Sequence, residues 1–286
     1  MFSQLLINSL SAASVYILIG LGFGLVYSIA RFFHFAHAAI FIICPYIALF
    51  IFSWFKSPLY IAIPLAIILV TLLGCLIDIF VYSPLRKKGS SPLILLLASF
   101  GVYIVLQNLI SMIFGDDTKS LLVGVVQKGI LFMGARITLI QLISIITSCF
   151  FLIALWAFMK KTKIGLALRA VSDDAELSSV VGLNSDKLIL VTFAIGSALA
   201  GIGGILFALD INMTPTIGMN ALMMGIIAVI VGGVGSIPGV ALGALLLGMA
   251  QHFGVWKISS QWQDVIAFVI LFIFLIFKPE GFLGRK

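Results

Sequence analysis

Chemistry has few places to reside in this chain of 286 residues, which carries 17 Lys and Arg, 10 Asp and Glu, and 3 His. His34 and His37 stand three apart and could share a helical face. A metal site would need a third ligand, preferably with a carboxylate nearby, and none is adjacent. The pair therefore reads as buried hydrogen-bonding side chains or as part of a solute path, and no metal site is expected. Cys44, Cys75 and Cys149 lie in apolar runs, without ligand spacing or a disulfide framework. Asp116 and Asp117 could supply paired carboxylates for glycosyl or acyl transfer, but no His or metal-ligand set accompanies them, and beside Gly115 they are more simply a helix-ending turn. The glycines at 20, 22 and 24 follow no strand, and Gly-x-x-x-x-Gly-Lys-Ser/Thr is absent, so the chain has no phosphate cradle. No catalytic residue is expected, and the chain is not read as an enzyme. What remains is polar side chains in oily surroundings: Asn8, Asp78, Gln107, Asn108 and Gln141. Each costs free energy in lipid unless a partner or water faces it, so each is a candidate path residue or an interhelical hydrogen bond worth about 0.6 to 2 kcal/mol. Asn8, His37 and Asn108 are the expected path residues. Asp78, close to Arg86, reads as an interface charge, and nothing assigns His252 a role.

The elements that must position these residues are membrane helices. The chain is 62% hydrophobic and 9% charged, with a mean hydropathy of +1.27, whereas soluble domains are about 25% charged. Apolar segments near 5–29, 38–55, 59–81, 93–114, 137–159, 188–209, 219–235, 240–256 and 262–278 approach or exceed the length that crosses a hydrocarbon core. The expected fold is an all-α polytopic membrane protein of about 8 to 9 transmembrane segments. It forms a single domain over 1–286, with Arg31 to Phe55 as the candidate re-entrant piece. The first segment lacks a basic leader and a cleavage site, so it is expected to be retained. With the N-terminus outside and nine crossings, Lys56, Lys119, Lys128, Arg136 and Lys257 fall outside and the other 12 of the 17 basic residues fall in the cytoplasm. The basic excess thus reflects topology, and the dispersal of these residues argues against nucleic-acid binding.

Glycines and small residues recur at spacing four, as in Gly20/Gly24, Ala200/Gly204 and Gly239/Gly243, which marks seams of close helix packing. Two stretches, Arg31 to Ile40 and Gly232 to Gly239, look non-helical at membrane depth, as at many transporter substrate sites, although a tight hairpin explains the second equally well. The polar island from Lys160 to Lys187 gathers nine of the Lys, Arg, Asp and Glu residues and must lie in water. Asp173 and Glu176 have capping-box spacing and Gly182 supplies a stop, which predicts a helix of about two turns. A structured loop between membrane helices usually has a surface to dock on.

Thr162, Gly165, Ala167, Arg169, Ala170, Asp174, Ala175 and Gly182, followed by Phe193, Gly196, Ala200, Gly201, Gly204, Pro215, Gly218, Gly232, Gly233, Gly235, Ser236, Gly239, Gly243 and Gly248, form a spaced pattern along much of the chain. The pattern resembles that of the LivH-type permease subunits of ABC importers for branched-chain amino acids. One departure is clear. Such permeases usually show Asn-Phe-Ala-His-Gly and then an acidic residue after the first helix, where this chain has His34-Phe35-Ala36-His37-Ala38-Ala39.

The resemblance implies an inner-membrane permease, of the bacterial cytoplasmic membrane, that pairs with a second permease, homologous or identical. It also implies two cytoplasmic ATPase subunits and a periplasmic or lipid-anchored substrate-binding protein. ATP and Mg would be bound by the ATPases, with no cofactor in this chain. The island from 160 to 187 would be the coupling loop, with Gly165, Arg169, Asp173, Asp174, Glu176 and Gly182 the ATPase-coupling residues. The alternatives are the same importer class carrying urea, short amides or another small solute, or an ATP-independent transporter or channel. The latter would call for a proton or ion relay in the membrane, of which the sequence offers little.

Overall fold

The computed structural model describes residues 2–121, 129–132, 134–256 and 259–284. Lys128, Lys257, Arg285 and Lys286 lie outside the described residues. Helix α1 (Phe2–Ala30) leads through an irregular connector to α2 (Ala36–Trp54). α3 (Leu59–Ile77) continues through a π-helical turn, Asp78–Tyr82, into α4 (Ser83–Lys87), and α5 (Pro92–Phe114) follows. Strands β1 (Ile130–Phe132) and β2 (Ala135–Ile137) form a small antiparallel hairpin that pairs Ile130 with Ile137. The remaining helices are α6 (Leu139–Lys161), α7 (Lys163–Asp173), α8 (Ala175–Val180), α9 (Ser185–Asp210), α10 (Ile217–Gly232), α11 (Ile237–Val255) and α12 (Gln263–Phe277).

Eight of the described helical stretches are long and apolar enough to cross a membrane. The segment around Arg31 to Phe55 holds one of them, the 19-residue α2, so the shortfall lies elsewhere. It lies in α10, whose 16 residues rise about 24 Å against a hydrocarbon core of about 30 Å. Short length is tolerable there because α10 is sheathed by α1, α2 and α11 and meets little lipid. Its last carbonyls are covered by the chain's own end: Phe282 N–H donates to the Val231 carbonyl and Leu283 N–H to the Gly232 carbonyl, each at 2.9 Å.

Side-chain caps start α6, α7, α8, α9 and α11. Thr138 and Gln141 form a capping box on α6, so Gln141 stands in the first turn of that helix, not deep within an apolar span. Thr162 caps α7, Asn184 caps α9 and Ser236 caps α11. The polar island departs from expectation by forming two helices. α7 runs on to Asp173, the chain turns extended at Asp174, and Asp174 Oδ1 accepts from Leu177 N–H at 2.9 Å. The cap of α8 is therefore Asp174, and the Asp173–Glu176 box is not the one that starts it.

Packing centres on α1, which lies against α6, α9, α10 and α11, while α9 also packs on α2 and α3. Lipid offers no hydrophobic drive for this, so close backbone approach must supply it. At Gly204 of α9 an added Cβ would overlap the Phe41 carbonyl of α2. Where α1 meets α9, a Cβ at Gly22 would sit 2.7 Å from the Gly196 carbonyl oxygen. α12 and the outward faces of α3, α5 and α6 leave large apolar side chains such as Ile68, Ile113, Phe150 and Phe272 exposed.

Contacts sort the helix ends into two groups. At one, Gln4 of α1 joins the hairpin, donating to the Arg136 carbonyl and accepting from the Arg136 N–H, and Lys119 pairs with Met213. At the other, the Arg31 guanidinium donates to the Ser172 carbonyl, Ser172 Oγ donates to the Ser28 carbonyl, and Arg86 binds Asp78 at 2.7 Å. Asp186, at the start of α9, lies 4.0 Å from Arg86 and 3.8 Å from Lys87. This second end also receives Lys160 and Lys161 of α6, and the positive-inside bias makes it the cytoplasmic, or inner, end.

Two stability predictions follow from the seam and the ion pair. Gly204→Ala should cost about 3 kcal/mol as α2 and α9 are pushed apart. Gly101→Ala, whose Cβ would meet nothing within 4 Å, should be neutral or stabilise by up to about 1 kcal/mol. Arg86→Ala strands a carboxylate that is 2% exposed and should cost about 3 kcal/mol, with Asp78→Asn added to it restoring more than half. Thermal unfolding of the detergent-purified chain checks both.

Candidate functional site

The outer ends of α1, α6, α9, α10, α11 and α12 border a half-open cavity of about 500 Å³. Its apolar surface includes Val15, Phe207, Ile217 and Met224, and its polar wall includes Asn8, Ser11, Gln141, Asp210, Asn220, His252, Gln263 and Asp264. Beneath it runs a satisfied polar chain. Tyr16 O–H donates to Gln251 Oε1 at 2.9 Å, and Gln251 Nε2 donates to the Gln263 carbonyl and to Met224 Sδ at 3.3 Å each. Gln251 is fully buried, so this chain fixes α1, α10, α11 and the start of α12 relative to one another. Concave, mostly apolar space with a few converging polar groups is the usual form of a small-solute site.

The three expected path residues are not brought together. Asn8 lines the cavity and accepts a hydrogen bond from Gln4 Nε2 at 3.1 Å. His37 is fully buried at the start of α2 against Gly22 of α1, away from the cavity lining. Asn108 lies on the exposed side of α5, where its amide donates to the Ile104 carbonyl at 2.8 Å. His34 is also fully buried: Nδ1 stands 3.1 Å from the Tyr82 hydroxyl, and the ring packs edge-on to Phe193 and His37. Burial, with His37 acting in the same direction, pushes its imidazole well below the usual histidine range and holds it neutral. Among the described residues no group of three His, Cys, Asp or Glu could hold a metal ion.

Asp210 and Asp264 escaped notice in the sequence because each sits at the end of an apolar run, where an acidic residue looks like ordinary span punctuation. A signal was available. By connectivity they are two of only four acidic residues at the outer end, the others being Asp116 and Asp117.

The inner end carries a second surface. α7 turns Gly165, Leu168 and Val171 inward, while Ile164 and Leu166 are exposed. Gly165 is a turn residue, since a Cβ there would run into the Phe158 carbonyl and Met159 of α6. Leu177, Val180 and Val181 of the α8 region are also exposed, the two valines at 80% and 76%. Gly182, at φ +88, closes α8 in the left-handed conformation that the sequence signal required. Asp173 and Asp174 are exposed beside it, Arg169 is half-buried with Nε unpaired, and the Glu176 side chain lies outside the described part of the structure.

Comparison with known proteins places the chain in a family. The family model "Branched-chain amino acid transport system / permease component" matches residues 5–275. The high-affinity branched-chain amino acid transport system permease protein BraD of Pseudomonas aeruginosa is 32% identical over 99% of this chain and 96% of its own length. LivH of Escherichia coli is similar to the same degree, at 32% over 99% and 96%, and the probable LivH of Methanocaldococcus jannaschii is 26% identical over 95% and 89%. Among solved structures, PsaBC from Streptococcus pneumoniae in complex with Fab shares the fold, with a TM-score of 0.55 at 14% identity over 96% of this chain and 91% of that one. In importers of this kind nucleotide binding belongs to partner ATPases, and a substrate-binding protein completes the system. The chain belongs to the permease components of branched-chain amino acid transport systems and is a multi-pass inner-membrane transport subunit of an ABC importer, not an enzyme.

Proposed function

We propose that this permease pairs with a second permease, works with two cytoplasmic ATPase subunits, and imports branched-chain or related aliphatic amino acids that an external binding protein delivers. The observation that carries the coupling half of this reading is the apolar surface of α7 and α8. Leu166, Leu177, Val180 and Val181 stand exposed at the inner end, outside the membrane-crossing helices. Such side chains in water favour burial against a partner by about 25 cal/mol per Å². Asp174 and Gly182 fix the shape of the element, Arg169 and Asp173 place charge beside it for an ATPase groove, and Glu176 belongs to α8 itself. The substrate half is supported by the named relatives and by the outer cavity, whose apolar side is suited to an aliphatic side chain and whose polar wall is suited to a charged end.

Uptake into sealed proteoliposomes tests the reading. The chain alone is compared with the chain plus its second permease, ATPases and binding protein, using labelled leucine, isoleucine and valine against urea. Leucine-class uptake that needs both ATP and the binding protein is the expected result. Uptake by the lone chain, or ATP-driven uptake of urea only, would sink it. In the complete system Asp174→Arg removes a cap worth about 1 kcal/mol and reverses its charge, and Gly182→Val forces a β-branched residue into a left-handed turn. Both variants should insert normally while leucine uptake per ATP hydrolysed falls about tenfold. Unchanged coupling in both would remove the docking role of α8.

A further inference from the structure

We infer that the outer cavity is a subsite for the ammonium end of an amphipathic solute, with Asp210 and Asp264 as its counter-charges and Val15, Phe207, Ile217 and Met224 as the seat of the apolar body. This deepens the substrate reading above and rests on it.

The two carboxylates reach one cavity from different helices, Asp210 from the last residue of α9 and Asp264 from the first turn of α12. Neither forms an ion pair with a cation among the described residues. Asp210 is half-buried, and the hydrogen bond it accepts from Ser11 Oγ is long, at 3.4 Å. An ionised carboxylate can accept about four hydrogen bonds, so most of its capacity stays open. Asp264 is exposed at the mouth, whereas placing Asp210 beside apolar walls costs solvation free energy, which a bound cation would offset, and attraction at a half-buried carboxylate exceeds that in bulk water.

The rest of the lining completes an amphipathic site. Asn8 accepts from Gln4 through Oδ1, which leaves its amide nitrogen as a donor. Asn220 and His252 add polar groups on α10 and α11. A carboxylate on the solute could be met by these donors, while its ammonium group lies at Asp210 and Asp264. Two acidic side chains facing one space disfavour a solute that carries only a negative charge. The cavity therefore discriminates by the ammonium group first and accepts an aliphatic body of varied shape. It opens at the end from which an imported solute arrives.

The test uses the complete importer in proteoliposomes, with Cys75→Ser and Cys149→Ser as background and Ala12→Cys as a reporter in the cavity lining. A membrane-impermeant thiol reagent is applied with leucine, with isoamylamine, which keeps the ammonium group and lacks the carboxylate, or with isocaproate, which does the reverse. Leucine and isoamylamine should slow labelling, and isocaproate should not. Asp210→Asn with Asp264→Asn should abolish the protection and raise the KM for leucine uptake about tenfold, with kcat changed less than about twofold. Equal protection by isocaproate, protection by sodium or calcium ions alone, or an unaltered KM in the double variant would overturn the assignment even if uptake stays ATP-dependent. If the double variant fails to insert, the three-probe comparison on the unaltered carboxylates still decides the matter. Loss of ATP-driven leucine uptake by the parent importer would instead count against the substrate reading, and protection by isoamylamine would stand as a separate result.

Discussion

Backbone contact at glycine is the constraint from which the rest of the bundle follows. Leucine against leucine is no better than leucine against a lipid tail, so helices inside a membrane gain by approaching until backbone atoms touch. The Gly204 site facing the Phe41 carbonyl, the Gly22–Gly196 crossing and Gly243 against the Ala228 carbonyl close α9 on α2, α9 on α1 and α11 on α10. That leaves α12 and the outward faces of α3, α5 and α6 to turn their large apolar side chains away from the bundle. The first half of α1 meets α11 closely on its Ser9–Ala13 side, where Gly248 faces the Ser9 carbonyl, and its Asn8, Ser11 and Tyr16 border the polar-lined space.

Length and hydropathy made the helices legible, because lipid imposes one rule on every spanning segment: its backbone polar groups must be satisfied within the segment. The small-residue spacing at Ala200 and Gly204 likewise announced a seam that the structure contains. Local grammar was less decisive in the polar island. Asp173 and Asp174 both suit a cap, and the choice between them depends on how far α7 runs, which the packing of Leu168 and Val171 decides. The path residues were the least legible. A polar residue in an apolar run tells that it needs a partner, not which way it points, and only tertiary packing separates Asn8 at a cavity from Asn108 on an outward face.

The connector after α1 shows how a departure from expected residues is packed, although of the four ring nitrogens of His34 and His37 only His34 Nδ1 has a side-chain hydrogen-bond partner. His34 and His37 are fully buried, and Phe32, Tyr82 and Phe193 pack around His34 as an aromatic cage. Ser99 of α5 holds the same connector from the other side, donating to the Phe33 carbonyl at 3.0 Å and accepting from Phe35 N–H at 3.1 Å. Irregular backbone within the protein is tolerable when its polar groups are met in this way. The stretch that differs from the family pattern thus acts in this chain as a lock between α1, α2 and α5, and a change of solute preference is not its necessary consequence.

The same connector begins with Arg31 at φ +59, a left-handed conformation that costs a non-glycine residue about 1 to 2 kcal/mol. Its guanidinium donates to the Ser172 carbonyl near the end of α7, and Ser172 Oγ returns a bond to the Ser28 carbonyl at 2.9 Å. Two interhelical hydrogen bonds are of the size needed to hold that strain. They tie the junction of α7 and α8 to the inner end of α1, while Asp186, at the start of α9 just beyond this element, faces Arg86 and Lys87 of α4. α1 and α9 are also the helices that carry Asn8, Ser11, Phe207 and Asp210 to the outer cavity. A displacement of α7 and α8 is therefore applied to the inner ends of two long helices whose outer ends shape the cavity. On the coupling reading proposed above, α1 and α9 are the elements common to both places, with a buried core of side chains such as Leu18, Phe41 and Phe193 between their ends.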